Sequence, residues 1–155
     1  MADSKISIQK TLVNEGGYVD NPNDSGGPTK YGITERDLPG EDIENLTPER
    51  ATAYYLENYW KPHYSEIESQ DVADKLFDLG VLFGVGEAIK LAQTLLKITA
   101  DGAFGLISLA ALNEAEPVSF IQAFKTAFVS HAIGIADAKP QDREFLAGWI
   151  ERVNK

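Results

Sequence analysis

Two carboxylates lie nine residues apart near the start of the chain, in surroundings that could place them across a cleft. Glu15 precedes Gly16-Gly17 at the end of a helical pattern, and Asp24 lies in a loop rich in turn-forming residues. Paired carboxyl groups carry out glycoside hydrolysis, one as the acid and the other as base or nucleophile. The segment therefore indicates acid–base chemistry on a glycosidic bond.

Glu15 is the stronger candidate for the general acid. At a helix C-terminus it lies near the negative end of the helix dipole, which disfavours an ionised carboxyl, and partial burial acts in the same direction. A general acid must stay protonated until it donates to the leaving-group oxygen. The alternative interpretation is an exposed glutamate that simply ends a helix before Gly16-Gly17.

The second role is open among several residues of the following loop. Asp24 could orient a water or stabilise an oxocarbenium-like transition state, but its surroundings also form a good turn, and Asp20 competes with it. Thr29 and Thr34 could position the water, although Thr34 equally suits a helix cap. We keep Asp24 and Thr29 as catalytic candidates and Thr34 as a substrate contact.

Aromatic side chains beside polar residues suit sugars, whose C–H faces stack on rings. Tyr18 and Tyr31 flank the predicted cleft, and Tyr59 and Trp60 belong to a second aromatic cluster with Tyr54 and Tyr55. We take Tyr18, Tyr31, Tyr59 and Trp60 as substrate-binding candidates. For any single one of them, packing in the core is the competing interpretation.

The periodicity predicts a mainly α chain with a small irregular or β-hairpin element near residues 18–33. The apolar stripe of the first helix includes Ile6, Ile8, Leu12 and Val13. In the central, most apolar helix, Gly80 and Gly84 would let another helix approach closely. The predicted helices span 4–15, 48–59, 71–83, 87–97, 106–113, 117–131 and 142–153, with Thr47 as the cap of the second.

Composition limits the classes of function. A net charge of −10 opposes binding to nucleic-acid phosphates. The chain has no cysteine, and its two histidines lack metal-ligand spacing, so we predict no metal and no cofactor.

No run approaches the 18 or so apolar residues of a membrane span, and no secretory signal is visible, so we expect no stable membrane insertion. At 155 residues, the length suits a single compact domain, 1–155.

The string E-G-G-Y, five residues, then D-S-G-G-P-T-K-Y-G-I-T, at residues 15–34, strongly resembles glycoside hydrolase family 108. This family comprises lysozyme-like N-acetylmuramidases of bacteria and phages, often labelled secretion activator proteins. The resemblance covers about 6–153. It implies a lysozyme-like catalytic segment at 6–70 with Glu15 as the catalytic glutamate, and a helical, predicted peptidoglycan-binding segment at 71–153.

The resemblance implies cleavage of the β-1,4 bond between N-acetylmuramic acid and N-acetylglucosamine, with peptidoglycan strands as partner. Without a visible signal, we expect synthesis in the cytoplasm and action in the periplasm or wall after release by a holin-like partner. The chain departs from the family at Leu82, where members usually carry asparagine, and after Gly148-Trp149. The alternatives are a lytic transglycosylase and a non-catalytic wall-binding or secretion-accessory protein.

Overall fold

The computed structural model describes residues 1–20 and 27–155, which fold into seven α-helices and one two-stranded antiparallel sheet. The prediction of a mainly α chain with a small β element is therefore confirmed. The elements are α1 (Ser4–Glu15), β1 (Thr29–Lys30), β2 (Ile33–Thr34), α2 (Pro48–Asn58), α3 (Gln70–Phe83), α4 (Val85–Leu95), α5 (Leu106–Glu114), α6 (Pro117–Ala138) and α7 (Leu146–Asn154). Two 3₁₀ segments, Tyr64–Glu66 and Pro140–Phe145, lie between helices.

Helix α1 begins and ends where its sequence predicts. The Asp3 side chain accepts a hydrogen bond from the Lys5 amide at the start. At the end, Gly16 takes a φ of +77°, and its amide donates to the Leu12 carbonyl. These two caps place Glu15 as the last residue of the helix.

The predicted apolar stripe of α1 is only half right. Ile8 and Leu12 are buried, but Ile6 and Val13 are 42% and 82% exposed. The buried face continues instead through two polar residues, whose hydroxyls donate to carboxylates of α3: Ser7 to Asp74 and Thr11 to Asp78. Burial of a hydroxyl costs little when it is hydrogen-bonded, so α1 packs on α3 through polar contacts as well as apolar ones.

The predicted hairpin is present, and its turn lies against the end of α1. Thr29 pairs with Thr34 and Lys30 with Ile33. The two turn residues, Tyr31 and Gly32, both have positive φ, 54° and 74°, as a two-residue type I′ turn requires. The Tyr31 amide donates to the Gly16 carbonyl over 3.2 Å, which ties the turn to the helix end.

Helix α3 contributes to both apolar clusters of the described chain. Leu76 and Leu79 lie in a larger cluster with the C-terminal helices, and Phe77 lies in a smaller one beneath the hairpin. A methyl group at Gly80 would lie 3.5 Å from the Val85 Cα, an ordinary van der Waals contact, and one at Gly84 would meet nothing within 4 Å. Gly84 instead ends α3 with a φ of +103°. Neither glycine is needed for the approach of α4, which corrects our prediction.

The C-terminal helices are longer or later than predicted. Helix α6 runs to Ala138 rather than 131, because alanines continue its buried phenylalanine stripe for two more turns. Residues 140–145 form a 3₁₀ segment, so the last helix starts at Leu146 rather than 142, and Phe145 is 51% exposed. The buried residues of α6 are Phe120, Phe124, Phe128, Ala132 and Ala136.

Among the described residues, α6 is also the one helix whose length and composition would suffice to cross a membrane. Our expectation that no segment would qualify is therefore wrong on that criterion. In this fold, α6 packs against α3, α4 and α7, and its phenylalanine stripe lies in the larger apolar cluster. A core helix of a globular domain meets the same criterion.

Candidate active site

The Glu15 carboxylate forms an ion pair with the C-terminal helix. Its Oε1 lies 2.6 Å from Nη1 of Arg152 in α7, with 19% of the Glu15 side chain and 12% of the Arg152 side chain exposed. The carboxylate therefore has a fixed partner and an open side. Residues from the two ends of the chain meet at this point.

Arg152 is shared with a second carboxylate. Its guanidinium donates to Asp78 in α3, with Nη2 at 3.0 Å from Oδ1, and Asp78 also accepts from Thr11 Oγ1 at 3.1 Å and Asn14 Nδ2 at 3.3 Å. Burial opposes the charge of Arg152, but Asp78 and then Glu15 outweigh it and raise the pKa of the guanidinium. One permanent cation thus serves two carboxylates.

The other side of Glu15 faces the hairpin turn. A methyl group at Gly32 would lie 2.7 Å from Glu15 Oε2 and 2.8 Å from the Tyr55 hydroxyl, so only a glycine fits here. The Tyr55 hydroxyl donates to the Tyr31 carbonyl over 2.8 Å. Burial, together with the nearby Glu15 charge, raises the pKa of Tyr55, so this hydroxyl stays a donor.

The remaining polar candidates are not all brought to Glu15. Asp24 lies outside the described residues. Thr29 belongs to β1, its backbone pairs with Val19 and Thr34, and its hydroxyl donates to the Gly27 carbonyl over 3.4 Å. Thr34 bonds to Asp37 through both its amide and its hydroxyl. This contact is the capping alternative that the sequence left open for Thr34.

The aromatic candidates divide into two groups. Tyr18 is 39% exposed, and Tyr31 is half-buried in the hairpin turn, so both stand near the end of α1 with ring surface accessible. Tyr59 and Trp60 are half-buried in ring contacts: Tyr59 lies 5.4 Å from the Tyr55 ring and Trp60 5.6 Å from Phe77. Core packing accounts for these contacts of the second group.

Within residues 1–20 and 27–155, no group of three or more His, Asp or Glu side chains could hold a metal ion. The charged groups at the candidate site pair with one another and with hydroxyl and amide donors instead. What the arrangement can do is exchange a proton at Glu15, on a carboxyl that is positioned by Arg152 and reachable from one side.

A family model matches the part of the chain that carries Glu15. Residues 8–84 match the family model described as glycosyl hydrolase 108. The chain belongs to this family. The matched region contains α1, the hairpin, α2 and α3, and therefore Glu15, Gly32, Tyr55 and Asp78. The match ends at residue 84, so the peptidoglycan-binding character of the second half stays a prediction.

A solved structure is similar to this chain over more residues than the family model matches. The chain is similar to the structure of Brucella abortus SagA, with a TM-score of 0.81 and 28% identity over 97% of this chain and 89% of that one. The similarity extends over the C-terminal helices as well, and so includes the element that carries Arg152. A comparison with curated proteins found no match.

The sequence did not point to Arg152 and Asp78 as parts of the site of this glycosyl hydrolase 108 protein. One signal was available, since Asp78 is a charged residue flanked by Phe77 and Leu79 in the central helix, and a buried acid needs a partner. The structure also changes the expected surroundings of Glu15. Arg152 lies 2.6 Å from the carboxylate, a contact that the helix-dipole argument did not include.

We expect Gly32→Ala to lower the glycoside hydrolase activity about a hundredfold, because the new methyl group would displace the Glu15 carboxyl and the Tyr55 hydroxyl. Gly40→Ala is the matched control. Gly40 has a similar φ of +82° but nothing within 4 Å of the added methyl, so both variants share a conformational cost of about 1–3 kcal/mol. Urea denaturation and initial rates separate the two effects. Equal activity of both folded variants would contradict the contact.

Proposed function

We propose that the protein is a lysozyme-like N-acetylmuramidase that cleaves peptidoglycan between N-acetylmuramic acid and N-acetylglucosamine, with Glu15 as its general acid. The observation that carries the proposal is the Glu15 carboxyl itself, held by Arg152, facing Gly32 and open to solvent on one side. Membership of the glycosyl hydrolase 108 family supports hydrolysis of a glycosidic bond.

The shared cation explains how Glu15 could act as an acid despite its ion pair. With both carboxylates ionised, Arg152 leaves a net charge of −1, so a proton on Glu15 brings the group to neutrality. Asp78 keeps Arg152 paired in either state, and no buried cation is left without a partner.

In the proposed reaction, Glu15 donates its proton to the glycosidic oxygen while the bond to the anomeric carbon breaks. A water positioned by Asp24 or Thr29 attacks that carbon and releases a proton to the solvent, from which Glu15 is protonated again for the next cycle. Tyr18 and Tyr31, near the end of α1 that carries Glu15, suit stacking against the sugar rings. The fragment then leaves with a reducing N-acetylmuramic acid end.

The place of action follows from the substrate. Peptidoglycan lies outside the cytoplasm, so we propose that the protein works in the periplasm or cell wall after passing a holin-like pore.

Leu82, at the position where the family usually has asparagine, packs against the larger apolar cluster. That contact gives Leu82 a role in the core.

The test is digestion of purified peptidoglycan, followed by borohydride reduction and mass spectrometry of the fragments. A muramidase releases fragments that end in reducible N-acetylmuramic acid. A lytic transglycosylase, in which the sugar's own hydroxyl attacks, leaves 1,6-anhydro ends that resist reduction. A wall-binding or secretion-accessory protein sediments with the wall and releases nothing. Either of the last two results would overturn the proposal.

A further inference from the structure

An open cavity of about 530 Å³ lies beside the Glu15 network, between α1, α3, α6 and the C-terminus. Four of the chain's 14 lysine and arginine residues line it, although the protein carries a net charge of −10. They are Lys10, Lys75, Lys125 and Lys155. The cavity therefore has more positive charge than the protein as a whole, and such a site suits an anionic ligand.

Asp71, Asp74 and Asp78 also line the cavity, but among the described residues no ion pair joins them to Lys75 or Lys125. Asp74 binds Lys10, Ser7 and Gln70, and Asp78 binds Arg152. By contrast, the ammonium groups of Lys75 and Lys125 each donate to a backbone carbonyl at the end of α7, over 3.3 and 2.9 Å. Lys155 lies 3.7 Å from Glu151.

Capping of the α7 C-terminus accounts for one hydrogen bond of each ammonium group. It does not explain why several lysines lie close together. An ammonium has three donors, so Lys75 and Lys125 each keep donors for a ligand. Lys75 is half-buried, and burial lowers its pKa. The charges of Asp78 and Asp74 act against this shift, and those of Lys125 and Arg152 add to it, so the pKa is lowered on balance. An anion that enters between these cations would reduce their mutual repulsion.

The position of the cavity indicates which anionic group would reach it. Asn14, next to Glu15 in sequence, and Asp78, which shares Arg152 with Glu15, both line it. The exposed Val13 and the half-buried Ile121 add apolar surface to the same walls. The peptide stem of peptidoglycan starts on the muramic acid next to the cleaved bond, and it combines alanine methyl groups with free carboxylates.

We propose that this cavity binds the carboxylates of the peptidoglycan peptide stem through Lys75 and Lys125. The protein would then bind glycan strands that carry their stems more tightly than strands that have lost them. The inference rests on the proposed muramidase function, because that function brings the stem to the cavity. The alanine residues of the stem would lie against Val13 and Ile121.

The test is calorimetric binding of two glycan fragments that differ only in the peptide stem, with the Glu15→Gln protein so that nothing is cleaved. We expect the fragment with its stem to bind about tenfold tighter or more, as for hydrogen bonds to charged groups. The double variant Lys75→Met, Lys125→Met should lose this difference, and Lys125→Met alone should lose part of it. Lys5→Met removes an exposed lysine of α1 outside the cavity and should keep the difference.

Equal affinity of both fragments, or an unchanged difference in the folded lysine variants, would overturn the inference. So would competition by inorganic phosphate at the same concentration as the stem, because the site would then take any anion. Cleavage of each fragment by the wild-type protein is measured in parallel. Cleavage without a stem preference rejects the inference alone, whereas no cleavage of either fragment rejects the muramidase function.

Discussion

Glu15→Gln is expected to reduce the rate of peptidoglycan cleavage by about 10²- to 10⁴-fold, the usual contribution of a positioned general acid. Glutamine keeps the shape of the side chain but has no proton to give. The fold should survive, because Arg152 retains Asp78 as its partner when the charge of Glu15 is removed. Initial rates on purified peptidoglycan, together with thermal melting, measure both effects.

The matched control is Glu57→Gln, which makes the same chemical change at an exposed position of α2 and should leave the rate unchanged. A Glu15→Gln protein that folds and cleaves at the wild-type rate would reject Glu15 as the acid. In that case another carboxyl group would have to supply the proton.

Arg152→Met is expected to lower the rate of peptidoglycan cleavage about a hundredfold, because Glu15 loses the cation that positions its carboxyl group. Asp78→Asn leaves the Glu15–Arg152 contact in place and should lower the rate less. Initial rates on purified peptidoglycan measure both variants.

Arg152→Lys serves as the conservative variant, since it keeps the charge and should retain part of the rate. A folded Arg152→Met protein that cleaves at the wild-type rate would contradict the positioning role of Arg152.

Arg152→Met should also destabilise the protein by about 3 kcal/mol, because two largely buried carboxylates lose their partner. The comparison variant is Arg50→Met. The Arg50–Glu41 pair is equally short, at 2.6 Å, but both side chains are more than a third exposed, so its loss should cost about 0–1 kcal/mol. Urea denaturation of both variants measures the contrast. Equal costs would show that the network adds no more than a surface ion pair.

Local sequence features predicted the position of Glu15 and the bounds of its helix. Asp3 and Gly16 mark the ends of α1, so Glu15 could be placed at its last residue. Turn-forming residues predicted the hairpin, and the resemblance at residues 15–34 pointed to the family that the comparison confirms. These features are encoded within a few neighbouring residues, which is why sequence alone sufficed.

The contacts around Glu15 could not be predicted in the same way. Arg152 lies at the other end of the chain, and only the packing of α7 against the rest brings it to Glu15. The buried face of α1 was misjudged for a related reason. Ser7 and Thr11 are buried because α3 presents carboxylates to them, and periodicity of apolar residues carries no information on such polar partners.

The most direct test of the account is digestion of purified peptidoglycan in ¹⁸O-labelled water by the wild-type protein, followed by mass spectrometry of the released fragments. Hydrolysis at the muramic acid residue predicts one ¹⁸O atom in each new reducing N-acetylmuramic acid end. Fragments with unlabelled 1,6-anhydro ends, label at N-acetylglucosamine ends, or no released fragments at all would contradict a muramidase with Glu15 as its acid.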